Sequence, residues 1–250
     1  MIVKTSYLDL PTQDTPMRTF IAEPAADGGH YPGLLLYADI FAQTDPTTRA
    51  AVRFASYGFV VAVPEFYHRT EPAGTVIPFE DRGHAMRAAG STRKEHFDAD
   101  ARTTLDFLGE HPRVRAGAIG VTGFCIGGHL TVRTALQPDV RAAVAFYPTG
   151  MHEDSLGGSR DADTLAQVAK GGIKGSILVI FGASDPHIPL DAITKAQGAF
   201  AKSGTSYKIS MYDGEHAFMR DEGPRWNPSE TDRAYREATD FFREVLGPIG

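Results

Sequence analysis

The only cysteine of the chain, Cys125, lies in a segment whose neighbours favour a reactive thiol. The segment reads Gly-Phe-Cys-Ile-Gly, so a glycine stands two residues before the thiol and another two residues after it. Glycines there remove the Cβ atoms that would clash where a strand turns sharply into a helix. At such a turn the backbone N–H groups and the helix dipole favour a thiolate. The pattern predicts a cysteine nucleophile, with a small buried hydrophobic residue as the alternative.

A thiol nucleophile of this kind needs a base and a residue that orients the base, and candidates for both follow downstream. Asp185 stands in Gly-Ala-Ser-Asp-Pro-His, directly after an apolar run, and His216 stands in Asp-Gly-Glu-His, after the next run. The carboxyl ends of parallel strands meet at one edge of a sheet, where ligands bind. The order of nucleophile, acid and base predicts a Cys125–His216–Asp185 triad. Either loop residue, taken singly, has a structural explanation.

The elements that would position this triad alternate between short apolar runs and longer amphipathic segments. Five runs are nearly continuous, as is typical of strands buried on both faces of a parallel sheet. They span residues 33–38, 59–64, 118–123, 142–147 and 176–182. Residues 207–214 alternate in polarity and predict an outer strand, and residues 17–24 predict an early antiparallel strand. The sequence therefore predicts an α/β fold with a mostly parallel central sheet, helices on both faces, and one domain over 1–250.

The least regular part of the chain is the stretch 68–91, which precedes a long helical pattern. It is polar and rich in proline and glycine. A long excursion in a compact domain is often a binding loop, so this stretch predicts a lid-like segment over the site. A solvated surface loop is the alternative that its composition leaves open.

Composition and charge exclude several classes of partner. The formal net charge is −6 and there is no run of lysine or arginine, so a nucleic-acid partner is not expected. No apolar stretch approaches the roughly 18 residues of a membrane span, so a membrane is not expected either.

One cysteine cannot form an internal disulfide, and the first residues lack a signal-peptide pattern. Both features predict a cytoplasmic protein.

Metal and nucleotide motifs are missing from the sequence, so no cofactor and no metal are expected. There is no His-Glu-x-x-His, no cysteine pair and no Gly-x-Gly-x-x-Gly after a strand. His187 stands two residues after Asp185, but this spacing alone is a poor metal signal. His129 lies in the first turns of the helix that follows Cys125 and is expected to be structural.

These segments together resemble the dienelactone hydrolase family, the cysteine branch of the α/β-hydrolases. The resemblance extends from about Met17 to Leu246. The residues that carry it are the segments 38–42, 63–67, 123–128, 182–189 and 214–220. It implies an α/β-hydrolase fold, and its Cys–Asp–His set falls on Cys125, Asp185 and His216.

The resemblance implies further site residues. It places the family's oxyanion hole on the backbone N–H groups of Ile40 and Ile126. It places the arginines that bind a substrate carboxylate at Arg220 and Arg82. Where the family has a glutamate that contacts the resting thiol, this chain has Asp39, which we count with the substrate-binding residues. An unpaired carboxylate at this position would disfavour the thiolate.

The sequence therefore predicts a hydrolase that cleaves an ester or lactone of a small, carboxylate-bearing molecule such as a dienelactone, through a thioester acyl-enzyme. A general carboxylesterase and a non-enzymatic ligand-binding protein of the same fold are alternatives. A redox protein that uses Cys125 as a lone sensor thiol is another, which the lack of a resolving cysteine weakens. The sequence does not indicate the oligomeric state.

Overall fold

One mixed β-sheet of eight strands organises the molecule, for which the computed structural model describes residues 1–26 and 28–248. The strands are β1 (Val3–Leu10), β2 (Met17–Pro24), β3 (Tyr31–Tyr37), β4 (Val60–Pro64), β5 (Val114–Phe124), β6 (Val140–Phe146), β7 (Ser176–Gly182) and β8 (Ser206–Tyr212). Their order in the sheet is β1-β2-β4-β3-β5-β6-β7-β8. The strands from β3 to β8 are mutually parallel, and β2 pairs antiparallel with both of its neighbours. The predicted mostly parallel sheet is confirmed.

Helices cover both faces of this sheet. They are α1 (Asp45–Ser56), α2 (Arg82–Ser91), α3 (Lys94–Glu110), α4 (Ile126–Thr134), α5 (Thr164–Ala169), α6 (Leu190–Ser203) and α7 (Pro228–Leu246). Successive residues of a strand point to opposite faces, and in β5 Ile119 packs towards Gly109 of α3 whereas Gly120 faces Phe242 of α7. The predicted two-sided α/β architecture is confirmed.

The burial of each strand follows its apolar pattern. Every residue of β3 and β4 is buried, because helices cover both sides of these strands. On the α7 side, Phe54, Phe59 and Phe242 pack edge to face, with ring centroids between 5.7 and 6.3 Å apart. β8 lies at the edge of the sheet with most residues exposed, as its alternating polarity predicts.

The stretch 68–91 is more regular than its composition suggests. Its last ten residues form α2, and the side chain of Asp81 caps this helix by accepting the N–H of His84 at 2.9 Å. Ile77 is only 1% exposed, and its N–H donates to the carbonyl of Phe41 at 3.2 Å. At Ile77 the stretch is thus packed against the loop that follows β3.

The parallel strands end at one edge of the sheet, and the predicted site residues lie on the loops that leave it. Asp39 follows β3, Cys125 follows β5, Asp185 follows β7 and His216 follows β8. The topology therefore brings together residues that are far apart in sequence, at the position where open α/β sheets bind ligands.

Candidate active site

Cys125 lies on the turn between β5 and α4 in a backbone conformation that side chains rarely adopt. Its φ is 59° and its ψ is −117°, a geometry that costs about 1–3 kcal/mol and persists only where the surroundings enforce it. A Cβ on Gly123 would lie 2.5 Å from the carbonyl oxygen of Gly127, and a Cβ on Gly127 would lie 2.2 Å from that of Ala38. The turn has no room for a side chain at either glycine.

His216 and Asp185 form a hydrogen-bonded pair beside this turn. Nδ1 of His216 lies 2.7 Å from Oδ2 of Asp185, whose side chain is fully buried. Oδ1 of Asp185 accepts the backbone N–H of His187 at 2.8 Å. With both carboxylate oxygens occupied, Asp185 is fixed in place and the imidazole ring is held in one orientation.

The environment of His216 favours its protonated form. The pKa of His216 is raised from 6.5 to about 9. Burial acts to lower this pKa, but the negative charge of Cys125, the hydrogen bond to Asp185 and the charge of Asp185 outweigh it. A histidine with such a pKa carries its second proton at neutral pH. The surroundings of the ring therefore favour an imidazolium at this position.

Two backbone N–H groups on the loops at this edge of the sheet are available as donors. Ile126 is the first residue of α4, where N–H groups have no partner within the helix. Ile40 lies in the turn after β3, where Oδ1 of Asp39 accepts the N–H of Phe41 at 2.9 Å. Within residues 1–26 and 28–248, neither isoleucine N–H donates a hydrogen bond. Such free donors near a nucleophile can stabilise an oxyanion.

Asp39 is buried and has partners on both carboxylate oxygens. Its Oδ2 lies 3.6 Å from Nη1 of Arg220. Burial raises the pKa of Asp39, and the N–H of Phe41, Arg220 and His216 act to lower it. Asp39 thus lies within electrostatic reach of His216. Its hydrogen bond to Phe41 also shapes the turn that carries Ile40.

Arg220 lines the site but is already engaged. Besides Asp39, it contacts the ring of Phe79, whose centroid lies 4.0 Å from the guanidinium carbon. Its Nε donates to the carbonyl of Glu222 at 3.2 Å. The ring of Phe79 in turn packs edge to face on Phe41, at 5.1 Å between centroids. The wall of the site on this side is therefore aromatic and cationic.

Arg82 is the first residue of α2 and is exposed. Burial lowers the pKa of His187, and the charges of His216, Arg225 and Arg82 add to this effect. The ring of His187 packs edge-on against His216, with 4.9 Å between centroids. Arg82 is therefore within electrostatic reach of the residues that border the triad.

The loop after β6 contributes two residues that the sequence analysis missed. Oγ1 of Thr149 lies 3.8 Å from Sγ of Cys125. Tyr147 is 1% exposed, and its ring lies against His216 at 5.2 Å between centroids. The signal that would have found them is topological, because β6 neighbours β5 and ends at the same edge of the sheet.

Neither a metal cluster nor a membrane-spanning helix is found in the described residues. In residues 1–26 and 28–248, no group of three or more His, Cys, Asp or Glu side chains is placed to hold a metal ion. Over the same ranges, no helix is both long and apolar enough to cross a lipid bilayer.

The fold and the turn at Cys125 define the class. In α/β-hydrolases a strained turn after a central parallel strand presents the nucleophile, and the acid and the base follow on later strands. Residues 17–246 match the dienelactone hydrolase family. The chain belongs to this family and is a hydrolase of the dienelactone hydrolase type.

Named relatives support this assignment. A Saccharomyces cerevisiae protein called "putative carboxymethylenebutenolidase" is 30% identical over 230 residues, which are 89% of this chain and 84% of the relative. The carboxymethylenebutenolidase of a Pseudomonas species is 25% identical over 89% of each chain. The crystal structure of a "putative dienelactone hydrolase" from Klebsiella pneumoniae superposes with a TM-score of 0.87 at 22% identity. This superposition covers 98% of the present chain and all of that one.

Proposed function

We propose that this protein hydrolyses an ester or lactone through a Cys125–His216–Asp185 triad and a thioester acyl-enzyme. The observation that carries the proposal is the 2.7 Å hydrogen bond between His216 and the buried Asp185. Together with the negative charge of Cys125, it raises the pKa of His216 to about 9 against the effect of burial. A thiolate beside an imidazolium is an activated nucleophile that has already given up its proton.

In the first half of the reaction, the thiolate of Cys125 attacks the carbonyl carbon of the substrate. The oxygen that becomes negative accepts hydrogen bonds from the N–H groups of Ile126 and Ile40, each worth about 10²–10³ in rate. The imidazolium of His216 then gives its proton to the leaving oxygen. The C–O bond breaks and the acyl group remains on sulfur as a thioester.

In the second half, His216 is neutral and accepts a proton from water as that water attacks the thioester. The same two N–H groups hold the second oxyanion, and its collapse releases the carboxylic acid and the thiolate. The thiolate–imidazolium pair is then restored. Asp185 stabilises the imidazolium and holds the ring orientation through both halves.

For the substrate, we infer a small molecule that carries a carboxylate. Arg220 pairs with Asp39, and the charge of Arg82 reaches His187 beside His216, so two positive charges lie within electrostatic reach of residues that border the triad. A guanidinium can bind a carboxylate through two parallel hydrogen bonds, and Arg220 meets Asp39 only at 3.6 Å. The Pseudomonas relative is named for a carboxymethylene-substituted butenolide, which agrees in chemical class.

A general carboxylesterase is the second candidate, and one observation favours it. The charge of Arg220 is balanced by Asp39, and its guanidinium packs on Phe79. An arginine held in this way leaves the wall of the site available to neutral, apolar acyl groups.

The test compares kcat/KM for a matched pair of lactones, one with a carboxylate and one without. A hydrogen bond to a charged group is worth about 1.5–3 kcal/mol, so Arg220→Ala and Arg82→Ala should each cost about 10- to 100-fold on the acidic lactone only. Arg141→Ala is the control, because Arg141 is exposed at the opposite end of β6. Equal losses on both lactones would favour the general esterase. Hydrolysis that survives in Cys125→Ala would contradict the triad itself.

A further inference from the structure

The loop after β6 places a hydroxyl against the nucleophile, and a buried histidine holds that loop. We propose that Thr149 donates a hydrogen bond to the thiolate of Cys125 and that His129 positions Thr149 for this task. The inference rests on the proposed role of Cys125 as nucleophile. It adds a residue of this chain that acts on the reacting sulfur.

Thr149 is attached to Cys125 at two points. Its Oγ1 lies 3.8 Å from Sγ of Cys125, within hydrogen-bond reach of a sulfur acceptor. Its backbone N–H donates to the carbonyl oxygen of Cys125 at 3.2 Å. Since a thiolate has no hydrogen, the hydroxyl must be the donor whenever the sulfur is ionised. The backbone bond keeps this hydroxyl at the sulfur.

His129 fixes the other side of Thr149. Its ring is fully buried, with Nδ1 at 3.0 Å from the carbonyl oxygen of Thr149 and Nε2 at 2.8 Å from Oγ1 of Thr164. A carbonyl can only accept, so Nδ1 carries the hydrogen and Nε2 accepts from Thr164. Burial lowers the pKa of His129 to about 3. The imidazole ring of His129 therefore stays neutral and in one tautomer near neutral pH.

Other titratable and charged groups lie on the surrounding loops. Tyr67 after β4, Tyr147 after β6 and His216 after β8 are within electrostatic reach of Cys125. The pair of Asp39 after β3 and Arg220 after β8 lies within reach of His216. Burial raises the pKa values of Tyr67 and Tyr147 well above their usual range, so both stay neutral. The hydroxyl of Tyr67 donates to the carbonyl of Ile40 at 3.3 Å. The opposite charges of Asp39 and Arg220 balance each other. Thr149 is therefore the neutral donor to the sulfur, and His216 is the cationic group of the site.

A donor to an ionised group favours its ionised form. Loss of the Thr149 hydroxyl should therefore raise the pH at which the thiol becomes reactive. We expect Thr149→Val to raise the pH of half-maximal alkylation by iodoacetamide by about one unit, which corresponds to about 1.36 kcal/mol. Thr149→Ser retains the donor and should stay close to wild type. Cys125→Ala gives the labelling background.

The matched control is Thr134→Val. Thr134 is a buried threonine of α4 whose hydroxyl is bonded to that of Tyr37 at 2.9 Å, away from the thiol. Its replacement removes a buried hydroxyl as Thr149→Val does, and should leave the alkylation midpoint unchanged. A midpoint in Thr149→Val that coincides with wild type, or an equal shift in Thr149→Ser, would overturn the proposal.

His129 is tested by a second pair of variants. His129→Asn keeps an N–H donor near the carbonyl of Thr149 and should leave the midpoint near the wild-type value, whereas His129→Leu removes the donor and should raise it. Equal midpoints in the two variants would show that His129 does not position Thr149. Alkylation reports on the sulfur directly, so these comparisons hold even without any hydrolysis. The proposed function fails separately, if fully alkylated wild type still hydrolyses esters.

Discussion

Replacing Cys125 by serine should lower the pKa of His216 by two to three units. Two unit charges about 4 Å apart at an effective dielectric constant of 20 interact by about 4 kcal/mol, or about three pKa units. In the wild type the pKa of His216 stands at about 9 against an ordinary 6.5, a rise of 9 − 6.5 = 2.5 units, with burial opposing it. A serine hydroxyl is neutral, so Asp185 alone would counter burial and the pKa should fall to 6.5 or below.

The same shift sets the pH range of activity. Because the pKa of His216 is raised, the imidazolium is present at neutral pH and is lost as the pH rises through about 9. The leaving oxygen needs that proton, so kcat/KM of the wild type should decline above this pH. In the proposed ion pair the two groups titrate together, so the alkaline limb of the profile would belong to the pair rather than to either residue.

The assay is an NMR titration of the imidazole signals of the nine histidines, from about pH 5 to about pH 10. His216→Gln identifies the signal of His216 by its loss. The pH profile of kcat/KM on an activated ester is measured alongside in the wild type. A pKa of His216 that is the same in the wild type and in Cys125→Ser would refute the ion pair, because Cys125 would then carry no charge at rest.

Two further predictions concern the turn and the acid. Gly127→Ala should lower the free energy of unfolding in urea by about 3 kcal/mol or more, because the added Cβ would lie 2.2 Å from the carbonyl of Ala38. Gly198→Ala in α6, where no atom lies within 4 Å of the added Cβ, should instead raise the free energy of unfolding by about 0.5–1 kcal/mol. A similar loss of stability in the two variants would contradict the steric argument. Asp185→Asn should lower kcat by about 10⁴-fold while the protein stays folded, because the amide favours the wrong imidazole tautomer. A loss under about tenfold would show that Asp185 does not orient His216.

Much of the fold could be predicted, because its central strands are continuous apolar runs that only a covered parallel sheet explains. The edge strand β1 escaped prediction, since seven of its eight residues are exposed or half-buried and carry no clear pattern. The helix α2 was hidden by glycine, proline and charge in the stretch around it. Its stability comes from the buried Ala85, Ala88 and Ala89 and from the Asp81 cap, which composition does not reveal.

Only those features of the site that follow from the order of the strands could be predicted from the sequence. Strand ends bring Cys125, Asp185 and His216 to one edge, so sequence order alone indicates the triad. Which side chains pair with one another depends on distances that no local pattern encodes. The contact of Arg220 with Asp39 joins residues 181 positions apart (220 − 39). The contact of Thr149 with Cys125 depends on the path of a loop.

The strained turn at Cys125 has a consequence for how such a protein evolves. Glycine is the residue that adopts a φ of 59° and a ψ of −117° without strain, so position 125 is occupied by a residue that folding alone would not select. A library screened only for thermal stability should accept glycine there and lose the proposed nucleophile. The proposed chemistry and the stability of the fold thus favour different residues at this one position of the chain.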